Sequence, residues 1–213
     1  MKKTLFLLLF ITTVSSAQAG FGVEAGIAKT GFASLSTHQG ADVLSPFFNV
    51  YTDVQIDRIL YITPQTGYSK RGGNFSPLMS YVPPANFTPK IIKAEYSLDY
   101  IDFSLLLKAR LTPPEAHLMF TLFAGPTINY FVGGNVKLSY AGNTPGVKKD
   151  ADGISTVGIG ATFGAGLGVH APGGLIEFRT VIFTQFTSSV ESNTGLDLGN
   201  ISQGLSITWH LEL

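Results

Sequence analysis

Apolar and polar side chains alternate without a break over the last nine residues, Leu205 to Leu213. Leu205, Ile207, Trp209, Leu211 and Leu213 fall on one face, and Ser206, Thr208, His210 and Glu212 on the other. Successive side chains of a β-strand point to opposite faces, so this stretch predicts a strand with one apolar and one polar side.

The same period of two recurs upstream and predicts eight strands in all. The first covers about residues 20–28, with Phe21, Val23, Ala25 and Ile27 opposite Gly22, Glu24 and Gly26. The second, about 46–56, sets Phe48, Val50, Val54 and Ile56 against Asn49, Tyr51, Asp53 and Gln55. The third, about 60–69, contains Pro64, which cannot donate to a ladder and so weakens that strand. The fourth, about 93–110, opposes Ile101, Phe103, Leu105 and Leu107 to Tyr100, Asp102, Ser104 and Lys108. The fifth, about 118–131, opens on mixed apolar residues that do not fix its register. The sixth, about 154–170, carries glycine at 158, 160, 164, 166 and 168 opposite a row of apolar side chains. The seventh, about 175–187, sets Glu177 and Arg179 against Ile176, Phe178 and Ile182, and the eighth closes the chain.

Connections alternate in length. Short turns fall at Asp57-Arg58, Thr112-Pro113-Pro114-Glu115 and Ala171-Pro172-Gly173-Gly174. Long loops are predicted around residues 37–40, over 70–91 with its four prolines, over 133–153, and over 188–198. Short turns on one side and long loops on the other mark outer-membrane barrels, and both ends of such a chain lie on the short-turn side. Closure also hides every strand edge, which lipid cannot hydrogen-bond. The expected fold class is therefore all-β: an eight-stranded antiparallel transmembrane up-and-down β-barrel.

Composition supports the membrane version. Charged residues make up 13% of the chain, against roughly 25% in average soluble proteins. The polar face is rich in Ser, Thr, Gln, Asn and Gly and thin in Lys and Glu, unlike a soluble exterior. Phe21, Tyr68, Tyr130 and Trp209 fall near strand ends, where aromatic girdles form. With the apolar face outward, Glu24, Asp53, Asp102, Lys108, Glu177, Arg179, His210 and Glu212 point inward. An eight-stranded interior is only wide enough for side chains to fill, so these groups are expected to pair into a plug. A soluble periplasmic lipocalin-like barrel with the faces reversed, its apolar residues inside, is the alternative.

The first residues read as an export signal: Lys2 and Lys3, an apolar run from Leu5 to Ile11, and Ala17-Gln18-Ala19 as a small-x-small site. Residues 1–19 are assigned to a signal peptide and 20–213 to the barrel domain. Without Lys2 and Lys3, 12 basic residues face 14 acidic ones, and no basic patch points to nucleic acid. The chain has no cysteine, which excludes disulfides and thiolate metal sites.

Gly67-Tyr68-Ser69-Lys70-Arg71-Gly72, Tyr100-Ile101-Asp102-Phe103-Ser104-Leu105-Leu106-Leu107-Lys108 and Ala124-Gly125-Pro126 then appear in order along the chain. With the glycine-rich strand, Glu177-Phe178-Arg179 and the closing strand, this order resembles the outer-membrane β-barrel domain of Bacteroidetes often called PorT-like. The resemblance spans the mature chain and implies location and fold. One branch of that family assists protein secretion, and most members have no assigned activity. Asp102 and Ser104 stand where the family commonly has Glu and Pro, and Leu213 where it commonly has an aromatic residue.

Catalytic chemistry finds little footing. A lipid-modifying enzyme, the other alternative, needs a nucleophile, a base and an acid in mutual reach. Of the four histidines, His117 and His170 fall at short turns, His38 beside Ser36 in a long loop, and His210 near Ser206 and Glu212. Asp150-Ala151-Asp152-Gly153 lacks the rest of a calcium loop, and the Gly-x-Gly repeats lack a following helix. No catalytic, metal or cofactor residue is assigned. The expected partners are outer-membrane lipid, the barrel-insertion machinery, and a protein of the envelope or secretion apparatus. The expected location is the outer membrane.

Overall fold

A computed structural model describes residues 19–34, 42–75, 91–113, 116–140, 147–151, 154–187 and 198–212. Among these residues nine strands form: β1 (Ala19–Ser34), β2 (Val43–Gln55), β3 (Leu60–Phe75), β4 (Ile91–Arg110), β5 (Leu118–Tyr140), β6 (Val147–Asp150), β7 (Val157–Ala171), β8 (Gly174–Gln185) and β9 (Leu198–Glu212). Each pairs antiparallel with its neighbours. Following the pairs from β1 through β2, β3, β4, β5, β7, β8 and β9 returns to β1, so eight strands close a barrel. The seam runs from Gly20 opposite Glu212 to Ser34 opposite Leu198.

The ninth strand is the short β6, which lies within the segment 133–153 expected to be loop. It pairs with residues 135–138 of β5, beyond Tyr130, where β7 leaves that edge. The sequence hid this extension because Val132 is an extra residue in β5: Tyr100 faces Phe131, yet Asp99 faces Gly133. Such a bulge flips the alternation, and the Gly133-Gly134 pair beside it reads as loop. β3 likewise runs on to Phe75 instead of stopping at Ser69, and β7 begins at Val157, not Ile154. The period of two continues from Ser69 to Arg71, and Gly72-Gly73 obscures it. The assigned signal peptide, residues 1–18 of which lie outside the described residues, ends one residue into β1.

Pro64 sits inside β3, opposite Leu105 of β4. On its other side, Thr52 and Asp53 are skipped in the ladder with β2. A side-chain bond from Thr63 Oγ1 to Asp53 Oδ1, 2.6 Å, spans that gap. At the short Ala171–Gly174 hairpin, Pro172 pre-sets the first central position and Gly173 takes a φ of +91°. That combination is the one a Pro-Gly turn requires.

The charged side chains of the barrel wall are sorted to the inside, where Leu106, Met119, Phe123, Leu175 and Phe183 are buried with them. Phe21, Ile27, Phe48, Phe103, Leu105, Leu107, Leu122, Ile128, Phe163, Phe178, Leu205, Ile207 and Trp209 stand exposed on the outside. Their alternate neighbours are buried inside, including Glu24, Asp53, Asp102, Lys108, Glu177, Arg179 and His210. Leu98, Tyr100 and Phe32 make a small apolar cluster inside the loop-side mouth, joined by Tyr96, Phe131 and Ile154.

Candidate functional site

The lumen is the site the fold builds, and hydrogen bonds organise it into two charged layers. The lower layer lies toward the short turns. Lys108 Nζ stands between Asp53 Oδ2 at 3.0 Å and Glu177 Oε2 at 3.5 Å, so β4 is tied across the interior to β2 and β8. Arg179 holds Glu177 through Nη2 at 2.8 Å and Nε at 3.0 Å, and Thr121 donates to the same carboxylate. The Arg179 guanidinium sits between the rings of Tyr51 and Phe123, 4.8 and 5.3 Å from their centroids, and Nη2 reaches Tyr51 Oη at 3.3 Å. Arg110 closes the floor: Nη2 is 3.4 Å from Asp53 Oδ2 and its guanidinium lies 4.2 Å over Tyr61. His210 stacks on Tyr51 with centroids 5.9 Å apart, its Nδ1 3.7 Å from Asp53 Oδ2.

Glu24 is held by side chains alone. Ser206 Oγ donates to its Oε1 at 2.6 Å, and Asn49 and Gln65 donate to its Oε2 at 2.8 and 3.4 Å. The upper layer is Arg71 with Asp102, which also accepts from Ser69 Oγ and Asn129 Nδ2, both at 2.7 Å. Between the layers runs a chain of hydroxyls: Ser104 to Thr127 at 2.8 Å and Thr127 to Thr162 at 2.7 Å.

Glycine makes room for this filling. A Cβ at Gly22 would fall inside the Tyr51 ring, and one at Gly166 would collide with the Glu177 carboxylate. The glycine row of β7 is therefore the wall against which Gln185, Phe183, Phe123 and Glu177 lie.

Charge balance follows from the inventory. Among the described residues, Lys108, Arg110, Arg179 and Arg71 stand with Glu24, Asp53, Glu177 and Asp102, four cations and four carboxylates. An ion buried without a partner is expensive, whereas a balanced and hydrogen-bonded set is tolerated. Seven of the eight inward residues expected from sequence lie in these layers; the Glu212 side chain lies outside the described residues. Sequence reading missed Arg71 and Arg110, and for Arg71 the signal was there in the step from Asp102-bound Ser69 to the next inward position.

Nothing in these layers forms a hydrolytic set. Ser206 and His210 are four residues apart on one strand, about 13 Å at the rise of a β-strand. Ser206 is bonded to Glu24 instead. His117 and His170 are exposed at the short-turn end, while Ser36 and His38 lie outside the described residues.

A closed antiparallel barrel with an apolar exterior and a neutral charged interior has the architecture of outer-membrane β-barrel proteins. The outer membrane protein OprG from Pseudomonas aeruginosa shares this fold: TM-score 0.51, 8% identity, with 92% of this chain and 98% of that one covered. Neisserial surface protein A gives 0.48 at 11% identity over 92% of this chain and 98% of its own. Ail, the attachment invasion locus protein of Yersinia pestis, gives 0.44 at 11% identity over 91% and 99%. No family model matches the sequence, and no curated protein is significantly similar to it.

Proposed function

We propose that this protein is an integral outer-membrane β-barrel that is exported by its first 19 residues, performs no catalysis, and uses its long loops for binding. The carrying observation is the sorting of faces. Large apolar side chains cover the outside, and among the described residues four cations and four carboxylates are held on the inside. A lipocalin-like soluble barrel has the opposite arrangement, because its apolar face must leave water.

The binding role draws on strand length. β4 has 20 residues and β5 has 23, where a tilted crossing takes about 9–11. The excess lies on the long-loop side, so β3, β4, β5 and β6 carry the loops well beyond the lipid band. Loops on a rigid scaffold are where specificity is usually carried. The partner fitting this arrangement is another envelope protein, including one of a secretion apparatus, as the motif order shared with PorT-like barrels suggests.

Fractionation of the native host followed by gel mobility with and without boiling tests the reading. Recovery with the outer membrane and a mobility shift on boiling are expected. Recovery in the aqueous fraction without a shift overturns it.

A further inference from the structure

A cavity of about 50 Å³ lies in the lumen between the two charged layers. Its roof includes Arg71 and Asp102, its floor Asn49 and Gln65 above Glu24, and its wall the hydroxyls of Ser104, Thr127 and Thr162. Two polar atoms of its lining are left unpaired by the chain. Arg71 Nη1 and Ser202 Oγ are fully enclosed and have no hydrogen-bond partner, although both residues are more than nine-tenths buried. They face the same space. Arg71 crosses from β3 until its guanidinium lies 3.7 Å over the Phe183 ring of β8, and Phe183 is paired directly with Ser202 of β9.

The geometry points to a built site for a short chain of buried water, running from Arg71 and Ser202 at the roof toward the Asn49 and Gln65 amides at the floor. Three physical facts converge on water as the occupant. A buried polar atom without a partner is destabilising, and water bonded to Arg71 Nη1 and Ser202 Oγ satisfies both. A cavity of this size holds about three to five waters at about 10–15 Å³ each, too little for an organic solute of any size. Arg71 is already neutralised by Asp102, so the chamber offers an ion no net attraction. Buried water characteristically occupies sites that are roomy and have two to four polar partners, and this chamber meets both conditions. The chain would join the upper ion pair through hydrogen bonds to the amides that hold Glu24.

The test uses the full barrel refolded in detergent micelles, its fold verified by mobility on unboiled gels. Oxygen-17 relaxation dispersion counts internal waters with long residence times, and a crystal structure at high resolution locates them. Wild type is expected to hold about three to five such waters, the first within hydrogen-bonding distance of Arg71 and Ser202. Ser202→Leu, which fills the chamber, is expected to lose them; Ser104→Leu, which enlarges another lining side chain, serves the same purpose if Ser202→Leu does not fold. Equal dispersion amplitude in wild type and the filled variant overturns the site, as does density for a single ion or an empty chamber at Arg71.

Discussion

Ser206 of β9 donates to the Glu24 carboxylate of β1 at 2.6 Å across 182 residues of sequence, at the seam where the last strand meets the first. The bond is the one polar side-chain tie described across that seam at this level, and it lies beside the sole tryptophan, Trp209, which reports on it from the lipid side. Ser206→Ala is expected to lower stability by about 1.5 kcal/mol, the low end for a bond to a charged group. Urea unfolding in lipid vesicles, followed by Trp209 fluorescence, measures this. An unchanged midpoint would show that Asn49 and Gln65 alone satisfy Glu24.

Depth in the bilayer sets the penalty for a charge on the outer face. Ile207→Arg, one residue from Ser206 but facing lipid, is expected to cost about 2–4 kcal/mol near the midplane. Gln203→Arg, opposite Lys29 where the outer face first carries charge, is expected to cost about 0–1 kcal/mol. Equal costs for the two arginines in the same vesicles would contradict the position given to the lipid band.

Lys108 is the cation that two carboxylates share. Lys108→Ala leaves Asp53 and Glu177 short of positive charge, and removal of one member of a buried set costs about 3–5 kcal/mol. Lys93→Ala breaks only the exposed pair with Glu95, 3.7 Å apart, and is expected to cost under about 0.5 kcal/mol. Denaturant titration of both variants gives the contrast directly; a small effect at Lys108 would mean that the lower layer relaxes around its loss.

Gly166 abuts the Glu177 carboxylate, so Gly166→Ala forces the ion cluster to shift. Overpacking of this kind is expected to cost about 1–3 kcal/mol. Gly133→Ala meets nothing within 4 Å and is the matched control. The comparison is read from unboiled gels as the fraction of compact barrel recovered on refolding.

Strand existence and facing were legible because a two-residue period survives wherever one face meets lipid and the other does not. β9 from Leu205 onward shows this without interruption, and the stretches Phe48–Val54, Ile101–Leu105 and Ile176–Thr180 of β2, β4 and β8 show it well enough that their inward charges follow. Three things were not legible. The bulge at Val132 reverses the alternation of β5, so β5 past Phe131 and its partner β6 looked like loop. Arg71 was passed over because Gly72-Gly73 beside it imitates a strand end. The pairings themselves, such as Lys108 with both Asp53 and Glu177, depend on which strands face one another across the lumen. Alternation records inside and outside; it carries no information about azimuth.

The distribution of lumen charge among hairpins constrains the route by which the barrel assembles. The β1–β2 hairpin brings two acids, Glu24 and Asp53, and no base. The β3–β4 hairpin brings three bases, Arg71, Lys108 and Arg110, against the single acid Asp102. In the β8–β9 hairpin, Glu177 and Arg179 cancel each other. Neither of the first two hairpins can therefore cross hydrocarbon alone without carrying two uncompensated charges, yet together they cancel. The smallest electrically neutral unit at the amino-terminal end is four strands, which makes insertion a concerted event: the first half of the barrel enters as one piece or waits at the interface for its complement.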